Sequence, residues 1–111
     1  MDNKFIDNLE KREYYISLFD FYSKLLTEKQ QDYFKAYYFE DLSLSEIANN
    51  YGVSRNAIFD QLKKIYTNLE EYEEKLNLHK NFLRLESILN EFENLDNEEI
   101  KKLINKIRNI E

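Results

Sequence analysis

Apolar residues recur at steps of three and four along most of the chain, which is the spacing of amphipathic α-helices. The spacing predicts a first helix from Asp2 to Leu26 and, after Thr27, a second helix that ends near Phe39. A chain with no proline and one glycine also lacks the turn residues that a β-sheet requires. We therefore predict an all-α fold. The apolar positions of the first two predicted helices are Phe5, Leu9, Tyr15 or Ile16, Phe19, Tyr22, Leu26, Tyr33, Phe34, Tyr37 and Tyr38.

Residues 43–65 place the only glycine of the chain between two helix-start signals. Ser43 and Glu46 form a capping box, in which each side chain satisfies a backbone N–H of the other residue, and Ser54 is a second N-cap residue. Gly52 can take the positive φ that ends the first of the two helices. This order predicts a helix-turn-helix, although two capped helices joined by a glycine also occur in helical proteins that bind no nucleic acid. The predicted packing residues at the corner are Ile47, Ala48, Val53 and Ile58.

The second helix of this motif is predicted to continue well beyond the length that reads DNA. From Leu62 to Leu76 the apolar steps alternate between three and four, as in a heptad seam, and Asn77 is the predicted helix end. Two heptads are too few for an independent coiled coil, so we expect the seam to pack on the first helix or on another chain. A fifth helix follows, and Asp96 with Glu99 forms a capping signal for a sixth. The apolar positions of these last two helices are Phe82 or Leu83, Leu85, Ile88, Leu89, Phe92, Ile100, Leu103, Ile104, Ile107 and Ile110.

The length of 111 residues suits one small domain. We predict a single helical domain over residues 1–111, with a helix-turn-helix core at 27–66 and a C-terminal helical extension at 67–111. Thr27 with Gln30 forms a capping box for the helix that precedes and braces the two-helix unit. The 9 tyrosines and 8 phenylalanines exceed what one small core encloses, so some rings are expected to be half-exposed or to meet a second chain.

The net charge of −6 argues against simple DNA binding, because a polyanion is normally met by a basic surface. Residues 43–66 are the least acidic part of the chain, with Arg55, Lys63 and Lys64 against Glu46 and Asp60. This segment is only mildly basic.

Four segments resemble the YlxM (p13-like) family of small bacterial proteins. They are LTEKQ at 26–30, YYFEDLSLSEIA at 37–48, YGVSRNAI at 51–58 and LEEYEEKL at 69–76. The resemblance implies an all-α helix-turn-helix fold similar to region 4 of sigma factors, without a wing. It also implies a role in protein targeting by the signal recognition particle, because the family's gene commonly neighbours that of the particle's GTPase. After the last segment the family usually has glycine, where this chain has Asn77.

If the motif docks on duplex DNA, the first half of its second helix enters the major groove and offers Arg55, Asn56 and Phe59. Arg55 can bridge a guanine or a phosphate, and Asn56 can pair with adenine. Lys63 and Lys64 could hold the DNA backbone, whereas the phosphates would repel a carboxylate that enters the major groove with this helix. The other interpretation is that this segment is a solvated helix face. The predicted nucleic-acid-binding residues are Arg55, Asn56, Phe59, Lys63 and Lys64, and the carboxylate that opposes them is Asp60.

Two functions follow from these observations. The first is a dimeric, regulatory DNA-binding or RNA-binding protein that reads paired half-sites. The second is an accessory of the signal-recognition-particle GTPase or of its RNA complex that binds no DNA and meets a basic partner through acidic side chains. The candidate acidic cluster is Glu70, Glu71, Glu73 and Glu74.

An enzyme is not expected, because one glycine cannot form a phosphate-binding loop and the single histidine, His79, has no evident nucleophile to activate. The absence of cysteine excludes disulfides and thiolate metal sites, and we predict no catalytic residue, no metal, no cofactor and no small-molecule substrate. No segment is apolar enough for a signal peptide or a membrane span, so we expect a cytoplasmic protein. We also expect a homodimer, with the amino-terminal helix and the segment from Phe82 to Ile110 as the candidate interface.

Overall fold

The computed structural model describes residues 9–110, and all regular structure in that range is helical. This confirms the predicted all-α fold. The predicted helix start at Asp2 and the apolar residue Phe5 lie outside the described residues. The first helix ends at Tyr22 rather than at Leu26, because a 3₁₀ turn follows it and leads into extended backbone before the next helix. The elements are α1 (Leu9–Tyr22), the 3₁₀ turn (Ser23–Leu25), α2 (Glu28–Tyr38), α3 (Leu44–Tyr51), α4 (Arg55–Leu76), α5 (Leu78–Glu93) and α6 (Glu98–Arg108).

Packing divides the chain into two compact units, one ending at Asn77 and the other beginning at Leu78. The boundary coincides with the end of α4, where Asn77 adopts the left-handed conformation with φ 56°. Helix α4 itself runs unbroken past residue 66. The single domain with a core at 27–66 and an extension at 67–111 stays a prediction.

In the first unit, α1, α2 and α3 all pack against α4. The heptad seam contributes Leu62, Ile65 and Leu69, which are completely buried. On the same side of α4, the ring of Tyr66 stacks on Tyr15 of α1 with their centroids 4.3 Å apart. Of the two partners that the sequence allowed for the seam, the first helix is therefore the observed one within this unit. Other buried core residues are Leu18, Phe19, Tyr22, Leu26, Tyr33, Phe34, Ala36, Tyr37, Tyr38, Leu44, Ile47, Ala48 and Ile58.

Aromatic rings fill much of this core. Phe19 of α1 and Phe34 of α2 stack almost parallel, with ring centroids 4.1 Å apart. Eight aromatic side chains are buried in the unit, whereas six of those in the described residues are exposed. The prediction that one small core cannot enclose every ring is confirmed. The exposed rings are Tyr14, Phe21, Phe39, Tyr51, Phe82 and Phe92.

Buried tyrosine hydroxyls form hydrogen bonds across the helices. The Tyr38 and Tyr66 hydroxyl oxygens lie 2.6 Å apart, and Tyr22 donates to Glu73 Oε1 at 2.6 Å. Burial, together with the neighbouring Tyr38, raises the pKa of Tyr66 above that of an exposed tyrosine. A buried hydroxyl without a partner would be costly, so these bonds favour one arrangement of α1, α2 and α4.

Three N-caps set the starts of the central helices as predicted. Thr27 and Gln30 form a capping box at α2, and Ser43 and Glu46 form another at α3. At α4, Ser54 Oγ accepts the backbone N–H three residues ahead at 3.0 Å. Hydrogen bonds from the backbone and side chain of Ser43 lower the pKa of the Glu46 carboxyl. The local sequence therefore fixes where each of these three helices begins.

Gly52 closes α3 with a left-handed residue at φ 66°, as predicted. Its N–H reaches the Asn49 carbonyl, and the Val53 N–H donates to the Ala48 carbonyl at 3.0 Å, which together make a Schellman turn. The expectation that Val53 packs into the corner is wrong, since 40% of its surface is exposed. Val53 follows the left-handed residue directly, and its side chain lines a surface groove together with Tyr33.

The second unit is a hairpin of α5 and α6. Arg108 donates to both carboxylate oxygens of Glu93 at 3.1 and 3.2 Å and to Asn90 Oδ1 at 3.1 Å, which ties α6 to α5. The cap predicted at Asp96 is wrong by one residue. Asn97 is the N-cap of α6, and its Oδ1 accepts the Ile100 N–H at 3.1 Å. An asparagine serves the cap as well as an aspartate does, so the sequence signal fitted both positions.

We expect Gly52→Ala to lower the free energy of unfolding by about 1–2 kcal/mol, because a residue with a Cβ resists the left-handed conformation. A Cβ at this position would meet no atom within 4 Å, so the cost is conformational and not steric. Gly52→Asn should cost less, since asparagine already occupies the same conformation at position 77. Urea unfolding measures both changes, and an equal loss for the two variants would contradict this explanation.

Candidate nucleic-acid interface

Helix α4 has one buried face and one polar face. Ile58 and Leu62 point into the core and are completely buried. The opposite side of the first three turns carries exposed polar side chains, because residues three or four positions apart share a helix face. These are Asn56, Asp60, Lys63 and Lys64, and we call them the α4 outer face.

Four of the predicted binding residues therefore lie together near the start of α4. Asn56, Lys63 and Lys64 are on the α4 outer face, and Arg55 is the first residue of the helix and is partly exposed. The Ser54 cap places Arg55 and Asn56 in the first helical turn, which is the part that enters the major groove in helix-turn-helix complexes.

Phe59 is placed differently from what the sequence suggested. Its ring is half-buried and packs against the core of the first unit. The Lys63 ammonium nitrogen lies over this ring, 5.4 Å from its centroid. Phe59 thus supports the position of Lys63 through a cation–π contact and does not itself project from the α4 outer face.

Asp60 is exposed among these residues, so it adds a negative charge to the α4 outer face. With Lys63 and Lys64 beside it, the face carries a small net positive charge. Across the described residues of the first unit, acidic side chains outnumber basic ones, 13 to 9. Any attraction of a polyanion therefore depends on where the cations are placed and not on the total charge.

A groove next to the α4 outer face was not predicted. It has a volume of about 360 Å³ and lies between the start of α2, the turn before α4 and α4 itself. Lys29 of α2 and Lys64 of α4 both line it. No local sequence signal pairs these two lysines, because they are 35 residues apart and meet only through the packing of α2 on α4. We call it the α2–α4 groove; Thr27, Lys29, Tyr33, Val53, Gln61 and Lys64 are among the residues that line it.

The acidic cluster of α4 is divided by its tertiary contacts. Glu73 is buried and accepts the Tyr22 hydroxyl, and Glu70 accepts the Tyr15 hydroxyl at 3.4 Å. Burial and the nearby Glu70 carboxylate raise the pKa of Tyr15 to about 12. Glu71 and Glu74 point outward and are exposed. Glu70 is also exposed despite its contact with Tyr15, so Glu73 alone of the predicted cluster is withdrawn from the surface.

Among residues 9–110, no group of three His, Cys, Asp or Glu side chains is arranged to hold a metal ion. No helix in that range combines the length and the apolar character needed to cross a membrane.

The fold and the polar face of α4 define a small all-α helix-turn-helix protein. A family model described as "Putative helix-turn-helix protein, YlxM / p13 like" matches residues 9–110. The chain belongs to this family, UPF0122, which confirms the resemblance seen in its sequence segments. UPF0122 proteins of Bacillus cereus strain AH187, Bacillus anthracis strain A0248 and Bacillus thuringiensis subsp. konkukian strain 97-27 are each 43% identical to it. The matches extend over 110 residues and cover 93% of this chain and 99% of each relative.

Proposed function

We propose that this protein is a cytoplasmic DNA-binding regulator that acts as a homodimer. The observation that supports DNA binding is the α4 outer face. It presents the exposed side chains of Asn56, Lys63 and Lys64, with Arg55 beside them in the first turn of the helix. Arg55 bridges guanine or a phosphate, Asn56 pairs with adenine, and the two lysines contact the backbone.

We expect the double variant Arg55→Ala, Lys63→Ala to bind duplex DNA more weakly and with a smaller dependence on salt. Each lost phosphate contact reduces the slope of log affinity against log salt by about 0.9, and a lost guanine contact costs about 1–3 kcal/mol. Fluorescence anisotropy of labelled duplexes across a salt series measures both. Asp60→Asn should raise the affinity for DNA, because it removes a negative charge that would repel the DNA phosphates.

The matched control is Lys75→Ala, which removes a cation from the last turn of the same helix. Position 75 is about 30 Å along the helix axis from Arg55 at a rise of about 1.5 Å per residue, so this change should leave DNA binding unaltered. Absent or salt-independent binding by the wild-type chain would contradict the proposed function.

The homodimer is proposed to form through α5. Leu78, Phe82, Leu85, Leu89 and Phe92 follow alternating steps of four and three, the pattern of a helix that packs on another helix. Only Leu89 of these is buried, and the other four are 39–46% exposed. Residues 78–110 carry six basic and six acidic side chains, so two copies of this segment meet without net repulsion. A second copy therefore suits this seam.

Leu85→Lys is expected to convert the dimer to a monomer, because it places a charge in the apolar seam. Leu83→Lys is the control, since Leu83 is 54% exposed and lies about 200° from Leu85 around the helix at about 100° per residue. Sedimentation equilibrium gives the mass of each variant. A wild-type chain that is monomeric at every concentration, or two variants that behave alike, would refute the α5 dimer.

A second candidate function is favoured by the exposed carboxylates of Glu71 and Glu74 on an acidic chain. In this case the protein is an accessory of the signal-recognition-particle GTPase or of its RNA complex and binds no DNA. Exposed acidic side chains would steer association with a basic partner, with a rate that falls as salt rises.

For this function, Glu71→Lys with Glu74→Lys should abolish retention of the protein on the immobilised, purified GTPase. Glu13→Lys with Asp20→Lys changes the net charge equally at exposed positions of α1 and should leave retention intact. Equal retention of both double variants would rule out the Glu71 and Glu74 contact.

A further inference from the structure

The α2–α4 groove continues from the α4 outer face. Lys64 belongs to both surfaces, and Lys29 lies across the groove on α2. Beyond the lysines the lining is neutral, with apolar Val53 and Ala57 and the amide of Gln61. The groove is therefore positioned to receive a ligand that also covers the first turns of α4.

The charge of the groove differs from that of the chain. Its lining includes two lysines and no carboxylate, although the whole sequence has 22 acidic and 16 basic side chains. Neither Lys29 nor Lys64 forms an ion pair with a carboxylate in residues 9–110. By contrast, the depression around Lys35 on the same helix α2 is lined by Asp32 and Glu40 as well. The lining of the α2–α4 groove thus offers a net positive charge to an anion.

We propose that the α2–α4 groove binds the phosphodiester backbone of duplex DNA, with Lys29 and Lys64 as phosphate contacts. The proposal rests on the DNA-binding function above and adds Lys29, a residue outside the helix-turn-helix, to its interface. Phosphate contacts fix the orientation of a protein on the duplex without reading its sequence. A contact from α2 and another from α4 hold the DNA from two separate helices, which sets the angle at which α4 meets the groove of the DNA.

Lys29→Gln tests the proposal because it removes the charge from the groove and keeps a polar side chain at an exposed position. Its affinity for duplex DNA should fall by a similar factor for every sequence, and the slope of log affinity against log salt should decrease by about 0.9. Lys29→Arg should restore the slope. Lys35→Gln, also an exposed lysine of α2, should bind as the wild type does. Urea unfolding midpoints of the variants establish that all are folded.

The outcomes separate the groove from the function on which it rests. If Arg55→Ala with Lys63→Ala weakens DNA binding while Lys29→Gln has the affinity and slope of Lys35→Gln, the groove is not a DNA contact and the DNA-binding function stands. If the wild-type chain binds no DNA, both proposals are overturned. If Lys29→Gln weakens binding to an RNA hairpin and leaves duplex DNA binding unchanged, the assignment of the groove to DNA is overturned.

Discussion

The burial of one face of α4 is the constraint on which the first unit depends. Leu62, Ile65 and Leu69 are completely buried, and α1, α2 and α3 all pack against this helix. Because a helix is rigid over its length, fixing its inner face also fixes the direction of its outer face. The buried seam therefore stabilises the fold, and it also sets the direction in which the polar side chains near Arg55 project. Tyr66 strengthens this constraint, since its ring stacks on α1 and its hydroxyl bonds to α2.

Charge is unevenly distributed over the first unit. The chain is acidic overall, yet two of its acidic side chains on α4, Glu70 and Glu73, accept hydrogen bonds from tyrosines of α1. The buried Glu73 thereby serves the packing of the unit, whereas the exposed Glu70 keeps its negative charge on the surface. Around the α2–α4 groove the lysines meet no lining carboxylate. A small number of well-placed cations can attract a polyanion locally, whereas the whole molecule remains negative.

Much of the candidate interface followed from local sequence signals. The caps at Ser43 and Ser54 and the glycine between them set the two helices, and the helix period then placed Asn56 and Lys63 on the outer side. Phe59 shows the limit of this reasoning, because it lies at the border between the outer and the buried face of α4 and is half-buried against the core. Helical spacing gives a direction for a side chain but not the neighbours that it will meet. The same limit explains why the acidic cluster looked continuous in the sequence.

The sequence alone determined the all-helical fold, the caps at Thr27, Ser43 and Ser54, the left-handed positions at Gly52 and Asn77, and the family to which the chain belongs. These features depend on interactions within a few residues, such as side-chain caps and the conformational freedom of glycine and asparagine. Only the tertiary structure decided that the α4 seam packs on α1 and that Lys29 lies across a groove from Lys64. Contacts between residues far apart in the chain depend on how whole helix faces fit together, which no local pattern specifies.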